Sequence, residues 1–124
     1  MTVDDVREQA RCLTSAHLDQ LAKVWRGDRL ASDTVKNAAR DKAWLEASPE
    51  QLALAWEVAR LVGEGAEVGD STSKCGAAAG VAWEVVVGLC ASSLTDQERM
   101  ILTQPWVDLF RDKAEGCLDR GEKA

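Results

Sequence analysis

Apolar residues return every three or four positions along nearly the whole chain, the spacing of one face of an α-helix, and no stretch alternates strictly as a half-buried strand would. The pattern predicts an all-α protein, a compact bundle of six to seven helices. Thr2 is placed to cap a first helix whose inner line is Val3, Val6, Ala10 and Leu13. Thr14 or Ser15 starts a second helix that carries Leu18, Leu21, Ala22 and Trp25, and Gly27 is expected to stop it. Ser32 caps a third, with Val35, Ala38, Ala39, Ala43 and Leu45 as its apolar line. Ser48-Pro49 ends that helix and opens a fourth, because proline suits the first helical turn and disfavours helix in the residue before it. In the fourth helix Leu52, Ala55, Trp56, Ala59 and Val62 are expected to face inward, leaving Glu50, Glu57, Arg60 and Glu64 wet.

Residues 63–71 hold three glycines and three acids without periodicity, which marks a loop and a hinge between two helical halves. A cap within Ser71–Ser73 then begins the most apolar helix, Cys75 to Ala91, interrupted only by Glu84. It is shorter than the roughly 20 residues a membrane span needs, so it reads as a buried helix. Thr95 and Glu98 have capping-box spacing and start a short helix with Met100, Ile101 and Leu102. Pro105 is expected to break or restart it, after which Trp106, Leu109 and Phe110 anchor a last helix. Residues from about 119 to 124 read as a disordered tail. One echo stands out: Ala55-Trp56-Glu57-Val58 and Ala82-Trp83-Glu84-Val85 both fall in mid-helix. A shared packing solution for a large indole beside small neighbours explains it, with a duplicated hairpin as the alternative.

Composition fits this picture. The 124 residues are 46% hydrophobic and 29% charged, enough to build one domain over residues 1–124 and too apolar for intrinsic disorder. Nineteen alanines favour helix throughout. A net charge of −6 makes phosphate backbones and anionic lipid poor partners for the chain as a whole. The acid excess lies after Ser48, however, and the first 48 residues balance eight basic against eight acidic side chains. The start of the chain lacks the basic and apolar segments of a leader peptide, which points to the cytoplasm. Four widely spaced cysteines, Cys12, Cys75, Cys90 and Cys117, are then expected to be free thiols, and no spacing suits a metal.

The segments Asn37–Trp44, Ala82–Val87, Leu94-Thr95 and Leu102–Trp106 resemble the Ala- and Trp-rich helical proteins, without assigned function, that are common in actinobacteria. The resemblance covers about Asn37 to Phe110 and implies no activity, cofactor or catalytic residue.

Chemistry-bearing constellations are scarce. His17, the sole histidine, has no partner nearby in sequence, and no nucleophile elbow or zinc-protease signature occurs. The reading is therefore of a protein without catalysis and without cofactor. Gly69–Lys74 lacks the order of a phosphate loop, although Lys74 at a helix start is a weak anion candidate. A nucleic-acid reading rests on residues 30–44, where Lys36, Arg40 and Lys42 are the candidate contacts. The turn before that helix is too long for a helix-turn-helix, so nucleic acid is disfavoured. The most informative segment is the line Gly76, Gly80, Glu84, Gly88 and Ala91. Glycine inside a helix costs about 1 kcal/mol relative to alanine, so several in one helix imply that another helix approaches closely. That neighbour is either internal or a partner, which includes a second copy. A helical protein–protein interaction module is the leading reading, a DNA-binding regulator the alternative, and an enzyme of undefined class third.

Overall fold

The computed structural model describes residues 2–30, 34–64 and 71–111, and among these it is entirely helical. Six helices follow one another: α1 (Val3–Ala10), α2 (Ser15–Leu30), α3 (Thr34–Glu46), α4 (Pro49–Glu64), α5 (Thr72–Cys90) and α6 (Asp96–Arg111). The compact all-helical bundle is the one the periodicity predicts. The start caps take the expected forms. Thr2 and Asp5 make a reciprocal capping box on α1, Ser48 and Gln51 make one on α4, and Thr95 and Glu98 make one on α6. Ser71 caps α5 by accepting from the Lys74 backbone N–H.

α5 is the axis of the bundle, and each of the other five helices packs against it. Its run from Val81 to Gly88 is buried without interruption, as a helix apolar on all sides must be. By length and composition α5 is also apolar enough to cross a membrane; here it is the central helix of the bundle. Val6, Leu18, Ala39, Val58, Val85 and Leu102, one from each helix, belong to a single apolar cluster. Helices on either side of the predicted hinge therefore share one core. Residues 65–70 of that hinge, the predicted cap Ser32 and the tail at 119–124 lie outside the described residues.

Three expectations need correction, two about element ends and one about inward faces. Gly27 does not stop α2, which continues to Leu30. One glycine costs a helix only about 1 kcal/mol, and here Trp25 docks against α5 while Arg26 reaches Ser73. Pro105 neither breaks nor restarts the last helix, since α6 runs from Asp96 to Arg111 with the proline inside it. The carbonyl bond lost at Pro105 is offset by anchors on both sides. Leu102 and Trp106 are fully buried, and the Trp106 indole N–H donates to Gln9 Oε1 at 2.8 Å. The third correction concerns inward lines: Val35 and Leu45 on α3 and Trp56 on α4 are exposed. On α3 only Ala39 and Ala43 form the fully buried stripe, one turn apart.

Candidate functional site

The glycine-lined face of α5 is occupied by the protein's own side chains. A Cβ built on Gly80 would stand 2.7 to 2.9 Å from three ring carbons of Trp25 on α2. At Gly88 it would stand 3.2 Å from Leu102 Cβ on α6. Glu84 is 3% exposed and pairs with Arg40 of α3, whose Nε lies 2.5 Å from its Oε1. Ala91 is buried. Only Gly76, near the start of α5, is exposed, and nothing lies within 4 Å of the Cβ it would carry. This line is thus an internal seam that lets α2, α3 and α6 close on α5.

The three candidate nucleic-acid contacts are dispersed. Lys36 is 7% exposed. Arg40 is bound to Glu84 and also donates to Asn37 Oδ1 at 2.6 Å. Lys42 alone is well exposed, and its ammonium holds Glu98 at 3.0 Å. Lys74, the anion candidate, instead bonds Ser15 Oγ at 2.9 Å and Asp19 at 3.1 Å.

Other polar groups are likewise used to fasten helices. His17 behaves as a capping residue: its Nδ1 accepts the Thr14 backbone N–H at 3.1 Å, and its own N–H donates to Thr14 Oγ1. Its ring packs beside Phe110. Glu46, at the end of α3, accepts from the backbone N–H groups and hydroxyls of Ser92 and Ser93 after α5. The Ser93 hydroxyl and N–H hold its carboxyl below the ordinary carboxylate value. The Thr95 backbone N–H, helped by Lys42, does the same for Glu98. Among the described residues no three His, Cys, Asp or Glu side chains cluster as a metal site would require.

The cysteines depart from expectation. Cys75 and Cys90 are free thiols, but Cys12 is disulfide-bonded, so four free thiols is not the state seen. Cys117 lies outside the described residues. Cysteine usage consequently gives no support to a reducing compartment.

What periodicity missed is an indole cluster on the outer side of α3, α4 and α5. Trp83 lies between two others, its ring centroid 4.6 Å from that of Trp44 and 6.1 Å from that of Trp56. Trp83 is 8% exposed, and its buried indole N–H has no acceptor among the described residues. Trp44 and Trp56 are 51% and 62% exposed, and Leu45 beside Trp44 is 83% exposed. The two echoed segments meet here. Ala55, Val58, Ala82 and Val85 are all fully buried, while each glutamate reaches an arginine on another helix: Glu57 to Arg7 of α1 and Glu84 to Arg40 of α3. A signal for this was present in the echo itself, since it places an indole at mid-helix in each of two helices that pack on one another.

Beside Trp56, on the outer side of α4, the surface forms a concavity of about 440 Å³ lined by Ala53, Trp56, Glu57 and Arg60. These are positions i, i+3, i+4 and i+7 of one helix. Comparisons with known protein families, with characterised proteins and with solved structures return no match.

Proposed function

We propose that the protein is a non-catalytic helical interaction module whose docking surface is the indole face of α3 and α4. One observation carries the reading: Trp44 and Trp56, each more than half exposed, flank the buried Trp83, and Leu45, next to Trp44 in sequence, is exposed as well. Indoles in that state cost solvation in the free protein, and contiguous exposed apolar surface marks interaction sites. Tryptophan is also the residue most enriched among the few that dominate binding energy. The alternative DNA-binding reading is weaker, because burial of Lys36 and pairing of Arg40 with Glu84 remove two of its three contacts.

The test is a comparison of wild type with Trp44→Ala/Trp56→Ala as baits in host lysate, read by quantitative mass spectrometry. The double variant is expected to keep its helical circular dichroism and lose the enriched partners by at least tenfold. Equal enrichment with both baits refutes the reading.

A further inference from the structure

Each of the two exposed indoles has a carboxylate beside it. Asp41 stands three residues before Trp44 on the same flank of α3, exposed and with no ion pair among the described residues. Glu57 lines the concavity on α4 together with Trp56. The charged residues of α4 are Glu50, Glu57, Arg60 and Glu64, three acids against one base. That base is countered by Glu64 at 3.7 Å, while Arg7 of α1, which reaches Glu57 at 3.3 Å, is shared with Asp4 at 3.5 Å. Glu50 is exposed and has no ion pair among the described residues. The cations of α3 are engaged elsewhere: Arg40 with the buried Glu84, and Lys42 with Glu98 of α6. The indole face is therefore apolar over its rings and negative at its margins.

We propose that this face receives a basic peptide segment of a partner protein, with Lys or Arg side chains lying across Trp44 and Trp56. The inference rests on the interaction-module reading and specifies the chemistry of the partner. Two properties of cationic side chains fit the surface. The face of an aromatic ring is negative, and among the aromatic residues tryptophan attracts an ammonium or guanidinium best. Lys and Arg also carry an apolar stem below the charged head, so the stem covers a ring while the head meets a carboxylate at the ring's edge. Ring and neighbouring carboxylate occur together twice here, at Trp44 with Asp41 and at Trp56 with Glu57. The other occupants lack this match. A neutral apolar segment covers the rings but desolvates Asp41 and Glu50 without a counter-charge. Nucleic acid and anionic lipid are repelled by the same acids, and a second copy brings the same acid excess against its own kind.

Fluorescence anisotropy with two labelled synthetic peptides, at neutral pH and physiological salt, tests the assignment. One is a short Lys/Leu peptide with both residue types at helical spacing, and the other has Glu in place of every Lys. The Lys peptide is expected to bind at least tenfold more tightly than the Glu peptide, and to weaken as salt is raised. Trp44→Ala/Trp56→Ala leaves the net charge at −6 and should weaken it at least tenfold, which separates the indole face from unselective charge attraction. Asp41→Asn/Glu50→Gln and Asp19→Asn/Asp108→Asn remove equal charge, the first pair on the indole helices and the second on α2 and α6. The first should weaken binding at least threefold, and the second should leave it within twofold. A Glu peptide that binds as tightly as the Lys peptide, an affinity unmoved by Trp44→Ala/Trp56→Ala, or equal weakening by the two acid pairs each overturns the proposal. If neither peptide binds while Trp44→Ala/Trp56→Ala still loses lysate partners, the basic segment is overturned and the interaction reading stands. If neither peptide binds and partner enrichment is also unchanged, both fall.

Discussion

An alanine series along the glycines measures how much of the bundle depends on close approach to α5. In a helix interior alanine is favoured over glycine by about 1 kcal/mol when the methyl group meets nothing. Gly27 in α2 and Gly76 in α5 satisfy that condition, with no atom within 4 Å of a built Cβ. Both substitutions should stabilise by about 0.5 to 1 kcal/mol, raising the melting temperature by about 2 to 4 °C for a chain of this length. Gly80 differs because its Cβ would fall 2.7, 2.8 and 2.9 Å from Trp25 ring carbons, whereas apolar carbons rest at about 3.5 to 4.0 Å. The indole is a rigid bicycle packed against the core cluster, so relief requires a shift of the ring or of α2 by nearly an ångström. Overpacking of that kind costs about 1 to 3 kcal/mol, which outweighs the gain in propensity and leaves Gly80→Ala neutral to 2 kcal/mol destabilised. Gly88, with Leu102 Cβ at 3.2 Å, should fall between. Thermal and urea unfolding followed by circular dichroism give the order. A truncated Trp25→Ala background should convert Gly80→Ala from harmful to helpful, a coupling that a double-mutant cycle reads directly. Because Trp25 belongs to the same chain, the gap between Gly76→Ala and Gly80→Ala should be the same at every protein concentration. If Gly80→Ala stabilises as much as Gly76→Ala, the close approach inferred here does not exist.

Further outcomes follow from the polar contacts. Arg40→Ala removes the guanidinium that pairs with the buried Glu84 carboxylate and should cost about 3 kcal/mol, whereas Arg40→Met/Glu84→Met should recover most of it; equal loss in both would show that burial of charge is not the cause. Asp5, Glu46 and Glu98 are held below their ordinary values by backbone and hydroxyl donors, so the native state binds protons less readily than the unfolded chain. Their contribution is complete above the ordinary glutamate value of 4.5 and is lost as pH falls below it; melting curves between neutral pH and pH 3 should steepen in acid, and Glu46→Gln/Glu98→Gln should flatten that slope, an unchanged slope refuting the assignment. Alkylation of unreduced, denatured protein followed by peptide mapping should label Cys75 and Cys90 and leave Cys12 unlabelled until reductant is added, and immediate labelling of Cys12 would contradict the disulfide. In the native state Cys90 should react slowly, because burial pushes its thiol upward.

Helix positions were legible because they depend on local rules. Thr2, Ser48, Ser71 and Thr95 cap the helices that follow them, and the inward lines of α1 and α2 hold at Val6, Ala10, Leu18 and Leu21. Two ends failed for one reason: Gly27 and Pro105 are local breakers overridden by distant anchors, Trp25 on Gly80 in one case and Trp106 on Gln9 in the other. A breaker's cost is readable from one residue. What offsets it is a contact between helices about 55 or 97 positions apart, which periodicity does not encode.

The site shows the same division more sharply. Close neighbours stand at Gly80 and Gly88 of α5 and not at Gly76, and which helix approaches depends on how five amphipathic helices share one apolar axis. Glycine at positions 80 and 88 and alanine at 77, 78 and 82 bring the surrounding backbones near α5, and close backbones leave little room for large side chains between them. Trp25 takes the space above Gly80, Trp106 a second buried position, and Trp83 a third. Trp44 and Trp56 then have buried alanines as immediate neighbours, Ala43 and Ala55, which keep α3 and α4 tight against the axis while the indoles stand at its edge. A thin central helix and exposed tryptophans are therefore linked consequences of one packing choice. Widening α5 at Gly80 should loosen the bundle, whereas removing the outer indoles should leave the bundle closed and take away the surface on which the proposed function rests.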